Sequence, residues 1–307
     1  MKKKRKQTIK LFLIFLWPLI LLGVGFQICK TPSGFHPTKI KSNFSFVEHS
    51  NENGPTAEDF KKLDHIFSQK FHYLNSGAQC YAFVSDDQKY VIKFFKMNQL
   101  TPKYWLNYLP FPFLEKVRFN KVEMRERRRQ ETFDSFRFAF EDIKDETGLL
   151  FVHFKKTHYP HDKVIFKDQL HREHVISLNQ VPFVLQKKAE MIYPYVSKLI
   201  EQGDTSLAMD SLTSVLYLIK DRCKKGYADK DDGVSSNYGF LDGRPVEIDL
   251  GRVIQDESIK DPVNYLREIL RVSKKIDLWL KASYPSLSSE FQERVQQILS
   301  NEEVVPI

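Results

Sequence analysis

The sequence predicts an α+β fold in two lobes, preceded by one membrane-spanning helix. Three observations carry that expectation. Strand-like runs gather between residues 79 and 186, with one long helical stretch among them. From 187 to the C-terminus the pattern is largely helical, interrupted by one small hairpin. An uncharged run, residues 11–29, directly follows a basic cluster.

The leader comes first. Lys2, Lys3, Lys4, Arg5, Lys6 and Lys10 precede the uncharged run. As a helix its 19 residues would rise about 28 Å, close to the hydrocarbon thickness of a bilayer. An uncleaved anchor is favoured over a cleaved signal peptide, because no Ala-x-Ala precedes a cut and Phe26-Gln27-Ile28 before Cys29 is no lipoprotein site. The basic flank is expected to stay cytoplasmic, which would place the body on the far side as a single-pass membrane protein. Residues 30–57, with Pro, Ser, Asn and Gly and little periodicity, read as a linker. The body is then 58–307, dividing into 58–186 and 187–307.

Charge sharpens this division. The 307 residues carry a net +8, which by itself would point to nucleic acid. Residues 1–41, however, hold nine Lys/Arg and no Asp or Glu, leaving a body of −1. With no supporting motif either, no nucleic-acid partner is expected. Three cysteines, Cys29, Cys80 and Cys223, match no zinc spacing and do not make a disulfide scaffold, although a Cys80–Cys223 bridge is open in an oxidising compartment.

Along the body, 57–71 reads as a short amphipathic helix. Residues 79–95 read as two strands turning at 85–88. The stretch 113–145 reads as a long charged helix, with Phe133, Phe136, Phe140 and Ile143 at helical spacing and Gly148 as its stop. Strands are expected at 149–154 and 181–186, and a helix at 206–224. Asp242-Gly243 predicts a tight hairpin between 238–241 and 246–248. Terminal helices are expected at 262–284 and 288–299.

Two segments carry chemistry. In Tyr90-Val91-Ile92-Lys93-Phe94-Phe95 a lysine lies among apolar strand residues. A buried ammonium needs a carboxylate or a ligand phosphate, whereas one on an edge strand would merely face water. The second segment runs from the acidic loop Asp229-Lys230-Asp231-Asp232 through Asn237 and the hairpin to Ile248-Asp249-Leu250-Gly251. The hairpin makes Asn237 and Asp249 neighbours. Their amide and carboxylate oxygens suit Mg²⁺ on a phosphate chain, and a nearby loop Asp can orient a hydroxyl. An Asp/Asn-rich surface turn with no ligand is the alternative.

Order and spacing together resemble the protein-kinase-like superfamily over residues 70–255. Val91-Ile92-Lys93 resembles the phosphate-lysine strand, Asp232 to Asn237 the Asp-x-x-x-x-Asn catalytic loop, and Ile248-Asp249-Leu250-Gly251 the Asp-Phe-Gly segment with Leu for Phe. Residues 74–83, with Gly77, sit where the phosphate-covering loop belongs, and 181–189 where a strand and hinge would face adenine. The resemblance implies a two-lobed kinase-like domain using ATP and Mg²⁺. Lys93 would clamp phosphates, Asn237 and Asp249 would hold metal, and Asp232 would position an acceptor hydroxyl. A helix carboxylate, Glu131 or Glu141, would pair with Lys93. Departures accompany it: Gly77 alone remains in the glycine loop, Lys230 stands where His is common, Asp229 and Asp231 compete with Asp232, and no Ala-Pro-Glu follows. The short C-terminal half resembles compact kinases of small molecules, or an inactive pseudokinase serving as a membrane-anchored binding or scaffolding module.

The basic stretch Lys116, Arg118, Lys121, Arg125, Arg127, Arg128 and Arg129, interleaved with glutamates, reads as a solvated helix face. Anionic lipid or a protein partner is the sharper alternative. Five histidines between 153 and 174 lack metal-ligand spacing.

Overall fold

A computed structural model describes residues 34–41, 57–231 and 233–301. The predicted membrane run 11–29 and Asp232 lie outside these residues, as does most of the predicted linker. Among the described residues no helix is long and apolar enough to cross a membrane.

The chain is α+β. Its first half builds a curled seven-stranded sheet from β1 (Phe71–Ser76), β2 (Cys80–Ser85), β3 (Tyr90–Phe95), β4 (Leu149–His153), β5 (Lys163–Lys167), β6 (Glu173–Ser177) and β7 (Phe183–Lys187). The spatial order is β4-β7-β3-β2-β1-β5-β6. All neighbours are antiparallel except β1 and β5, which run parallel from the pairing of Phe71 with Phe166. Alternation along β3 sends Ile92 and Phe94 to one face and Val91, Lys93 and Phe95 to the other. On the first face Phe94 packs edge-on against Phe166 (4.9 Å between ring centres) and Phe83. On the second, Phe95 packs against Phe133 and Phe136, which belong to α1 (Glu123–Asp142).

The predicted helix 113–145 is broken. Glu115–Lys121 and α1 are separate helices, parted at Val122 (φ −112°, ψ −73°). A last turn, Lys144–Thr147, ends at Gly148 with φ 64°, the left-handed stop the sequence predicts. Strands β1, β5 and β6 are additions to the predicted set. The β5–β6 turn is built by the carboxylate of Asp168, which accepts from the backbone of Leu170 and Arg172 and from the Arg172 side chain, and bonds the His174 ring at 2.9 Å. These bonds hold the Asp168 carboxyl well below the usual range although burial opposes them.

The second half is mainly helical. A short strand β8 (Glu190–Met191) leads into α2 (Ile192–Glu201) and α3 (Thr205–Lys224). Strand β9 (Tyr227–Asp229) follows, then the hairpin β10 (Tyr238–Leu241) and β11 (Arg244–Glu247), and β12 (Val253–Gln255). Helices α4 (Pro262–Ser283) and α5 (Ser288–Ser300) close the chain, as their periodicity predicts. Asp242 (φ 51°) and Gly243 (φ 78°) are both left-handed, the geometry of the predicted tight turn. α3 is central: Leu212, Val215, Leu216, Ile219 and Cys223 are buried against α2, α4 and α5. Cys223 and Cys80 are both free thiols, so the bridge left open by the sequence does not form.

Candidate functional site

The sheet meets the helical half along a cleft of about 550 Å³, within the range of small-molecule sites. Strands β2 and β3 supply Ala82, Val91 and Lys93; the end of β7 and the segment after it supply Lys187, Lys188 and Ala189; the acidic loop and hairpin supply Asp231, Asn237 and Asp249.

Lys93 reaches the cleft from the middle of the sheet, since β3 is flanked on both sides by β2 and β7. It is not the water-facing edge lysine of the alternative reading: its side chain is buried, and its Nζ donates to the carbonyl of Ile248 at 2.5 Å. Burial lowers the Lys93 pKa, and the negative charge of Asp249 opposes that shift. The lysine and the aspartate segment are therefore already in contact across the cleft.

No helix carboxylate joins them. Glu131 is exposed and pairs with Arg127, and Glu141 is exposed as well. The inner face of α1 instead presents buried Thr132 and Ser135, and the Ser135 hydroxyl donates to the carbonyl of Leu250. Helix α1 is thus tied to the 248–251 segment by a hydroxyl where the sequence reading expected an ion pair with Lys93.

The hairpin brings Asn237 and Asp249 to one wall, as the spacing predicts. The backbone N–H of Ile248 donates to the carbonyl of Asn237 at 2.6 Å, with β10 and β11 in register from Tyr238 opposite Glu247. The Asn237 side chain is 1% exposed. Its Oδ1 accepts from Ser236, and its Nδ2 has no partner. A half-turn of the amide exchanges the two atoms, and the serine hydroxyl can then accept instead of donate. That frees an oxygen beside Asp249. The pair fits a hard cation that completes its shell with phosphate and water oxygens.

Of the loop aspartates among the described residues, Asp231 lines the cleft. Its Oδ1 caps the N–H of Gly233 at 2.8 Å, and Arg252 approaches Oδ2 at 3.7 Å. Asp229 lies beneath, 5% exposed, with Oδ2 unpartnered. Burial pushes its carboxyl up to about 7; the charge of Glu247 adds to this and that of Arg222 opposes it. Arg222 and Glu247 form a fully buried ion pair at 2.6 Å. This pair anchors the end of β11 two residues before Asp249. The sequence reading did not single it out, and a lone Arg inside the apolar stripe of α3 was the available signal.

The turn between β1 and β2 departs from a phosphate cradle. A Cβ on Gly77 would meet nothing within 4 Å, so its conformation does not demand glycine. Its carbonyl accepts from Lys96. The Gln79 side chain crosses the cleft and donates to the carbonyl of Gly251 at 3.0 Å. A Cβ on Gly251 would stand 1.8 Å from Gln79 Oε1, so any larger residue there would push the Gln79 side chain aside. Cys80 also lines the cleft, and burial pushes its thiol up to about 12.

The histidines divide. His153 is buried, bonded to the Val181 carbonyl and Thr157, and burial lowers its pKa to about 4. His171 sits in the β5–β6 turn and His174 on β6, so they share no helix face. Among the described residues no group of three His, Cys, Asp or Glu is placed to hold a metal.

No family model matches the chain, and no curated protein is similar to it. Among solved structures, the bifunctional kinase-methyltransferase WbdD aligns at 14% identity and TM-score 0.36, covering 75% of this chain and 43% of that one. A further WbdD crystal structure aligns at 14% identity and TM-score 0.37, covering 76% and 50%. The complex of Rv3197 with erythromycin from Mycobacterium tuberculosis aligns at 15% identity and TM-score 0.33, covering 83% of this chain and 72% of that one. The chain thus spans half or less of the WbdD chains it matches.

Proposed function

We propose that this chain is a kinase-like phosphotransferase that uses ATP and Mg²⁺ to phosphorylate a hydroxyl acceptor. One observation carries the reading: a single cleft collects a buried lysine, an amide–carboxylate pair and a loop carboxylate. Lys93 would neutralise nucleotide phosphates. Asn237 and Asp249 would hold the magnesium ion, which supplies charge neutralisation between the phosphates. A carboxylate of the acidic loop, Asp231 or Asp232, would orient the acceptor. Such catalysis is mostly positioning and charge stabilisation, which a preformed cleft can provide. The two lobes are 58–186 and 187–307, and residues 11–29 are proposed to anchor the protein in a bilayer with the body on the non-cytoplasmic side.

Thermal unfolding of the full chain in detergent tests the nucleotide site. ATP with Mg²⁺ at about 100 times its dissociation constant should stabilise by roughly 2.7 kcal/mol. No shift, or an equal shift in Asp249→Ala, overturns the reading. A second reading, a binding module without transfer, is favoured by the Gln79–Gly251 contact and by the missing helix carboxylate. Stabilisation by ATP without phosphoryl release or transfer in a single-turnover assay would decide for it. Protease added to intact cells tests the topology: digestion of the body supports it, and full protection overturns it.

A further inference from the structure

Between β3 and α1 the chain forms a built, exposed aromatic surface that the cleft does not use. Trp105 is 59%, Tyr108 87% and Phe113 78% exposed, with Phe111 and Phe119 also outward. This is not loose chain. The Arg118 guanidinium donates to the carbonyls of Leu106, Leu109 and Phe111, gathering the loop around one side chain. The Lys103 N–H donates to the Lys121 carbonyl at 3.0 Å, Leu106 is buried, and Phe111 and Phe113 stack at 5.5 Å. A folded segment that fixes its backbone and turns its aromatic rings outward gives up burial that a collapsed loop would gain. The charge beside it is one-sided: residues 103–128 hold seven Lys/Arg against three Glu. Arg129 and Arg118 serve internal bonds, while Lys103, Lys116, Lys121, Arg127 and Arg128 are exposed.

We propose that this surface docks on an anionic lipid bilayer, with Trp105, Tyr108, Phe111 and Phe113 entering the headgroup–acyl boundary and the exposed lysines and arginines meeting lipid phosphates. Trp and Tyr favour that boundary because each joins an apolar ring to a polar edge. Basic residues near it add about 1 kcal/mol each on anionic membranes. A protein partner or a second copy of the chain would bury rings equally well. A second copy does not account for the basic excess around the rings, which a near-neutral body of −1 does not complement. The inference is independent of the nucleotide reading and of the run 11–29.

The test uses the full chain reconstituted in phosphatidylcholine–phosphatidylserine vesicles. Quenching of tryptophan fluorescence by brominated acyl chains is compared between wild type and Trp105→Phe, so that only Trp105 contributes to the difference. A clear difference is expected, and Lys116→Gln and Lys121→Gln should each lower the docked-to-undocked ratio that it reports about fivefold. The substituted side chains are exposed, so these variants should keep the wild-type thermal transition. No difference, with Trp105 still open to aqueous iodide, overturns the proposal. So does equal quenching in pure phosphatidylcholine, or protection of Trp105 that appears without lipid and grows with protein concentration.

Discussion

Asp229 illustrates how a buried carboxyl sets pH dependence. Its pKa is raised from 3.8 to about 7 in the folded chain, so the fold binds its proton more tightly than the unfolded state does. The contribution of this group therefore favours folding at low pH and is lost as pH rises from about 4 through about 7. Asp229→Asn retains an oxygen for the Asp231 N–H and removes the charge. Its urea midpoint should exceed that of the wild type at about pH 8, with the advantage vanishing towards about pH 4; a constant difference would show that Asp229 does not titrate this way. Asn237 and Asp249 were legible as neighbours because their spacing around a hairpin turn is local geometry, whereas Lys93 was legible only as a lysine among apolar strand residues. The lysine's helix partner was not. Glu131 and Glu141 each lie two residues from an inward position, Phe133 and Ala139, which is about 200° around a helix. The same helical period that places the phenylalanines inside sends both glutamates outside.

Gly239 is a tight point of β10, the strand that begins immediately after Asn237. A Cβ there would meet the Glu190 carbonyl oxygen at 2.5 Å, and that oxygen is backbone in the paired strand β8. Gly239→Ala should destabilise by about 1–3 kcal/mol and reduce nucleotide-induced stabilisation, since β8 and β10 must part; an unchanged melting temperature would refute this. The β1–β2 turn works the other way. Gln79 occupies space above Gly251 and must leave before a phosphate chain can enter there. With its single bond worth about 1 kcal/mol, Gln79→Ala should bind ATP roughly fivefold more tightly by calorimetry. Weaker binding would mean that Gln79 contacts the nucleotide instead. The Asp242-Gly243 hairpin and the Gly148 stop were readable because each has a local residue signature. The β5–β6 turn was not, because a buried aspartate and a left-handed His171 (φ 60°) do the work usually done by glycine or asparagine.

At the scale of the whole molecule, one aromatic cluster belongs to both halves. Phe95 and Val184 from the sheet, Phe133 and Phe136 from α1, and Tyr227, Leu250 and Val253 from the later segments share it. The halves should therefore unfold together. Phe136→Ala, 1% exposed in the wild type, should cost about 3–5 kcal/mol while circular dichroism and tryptophan fluorescence still shift as one transition; two separated transitions would contradict a shared core. The α+β class and the helical second half followed from hydrophobic period. The order of the sheet did not, because β1 finds β5, and β3 finds β7, across about ninety residues of intervening chain.

That ordering has a consequence in time. The meander β1–β2–β3 is local and can form as soon as it is made, but both of its flanks belong to strands that come much later. At roughly 5–20 residues per second, a ribosome needs about 5–20 s to deliver them. During synthesis the newborn meander has two open edges, and the charged, helix-forming chain between β3 and β4 is what emerges beside it. Whatever shields those edges in the interval, a chaperone or the emerging helix itself, acts before the cleft exists.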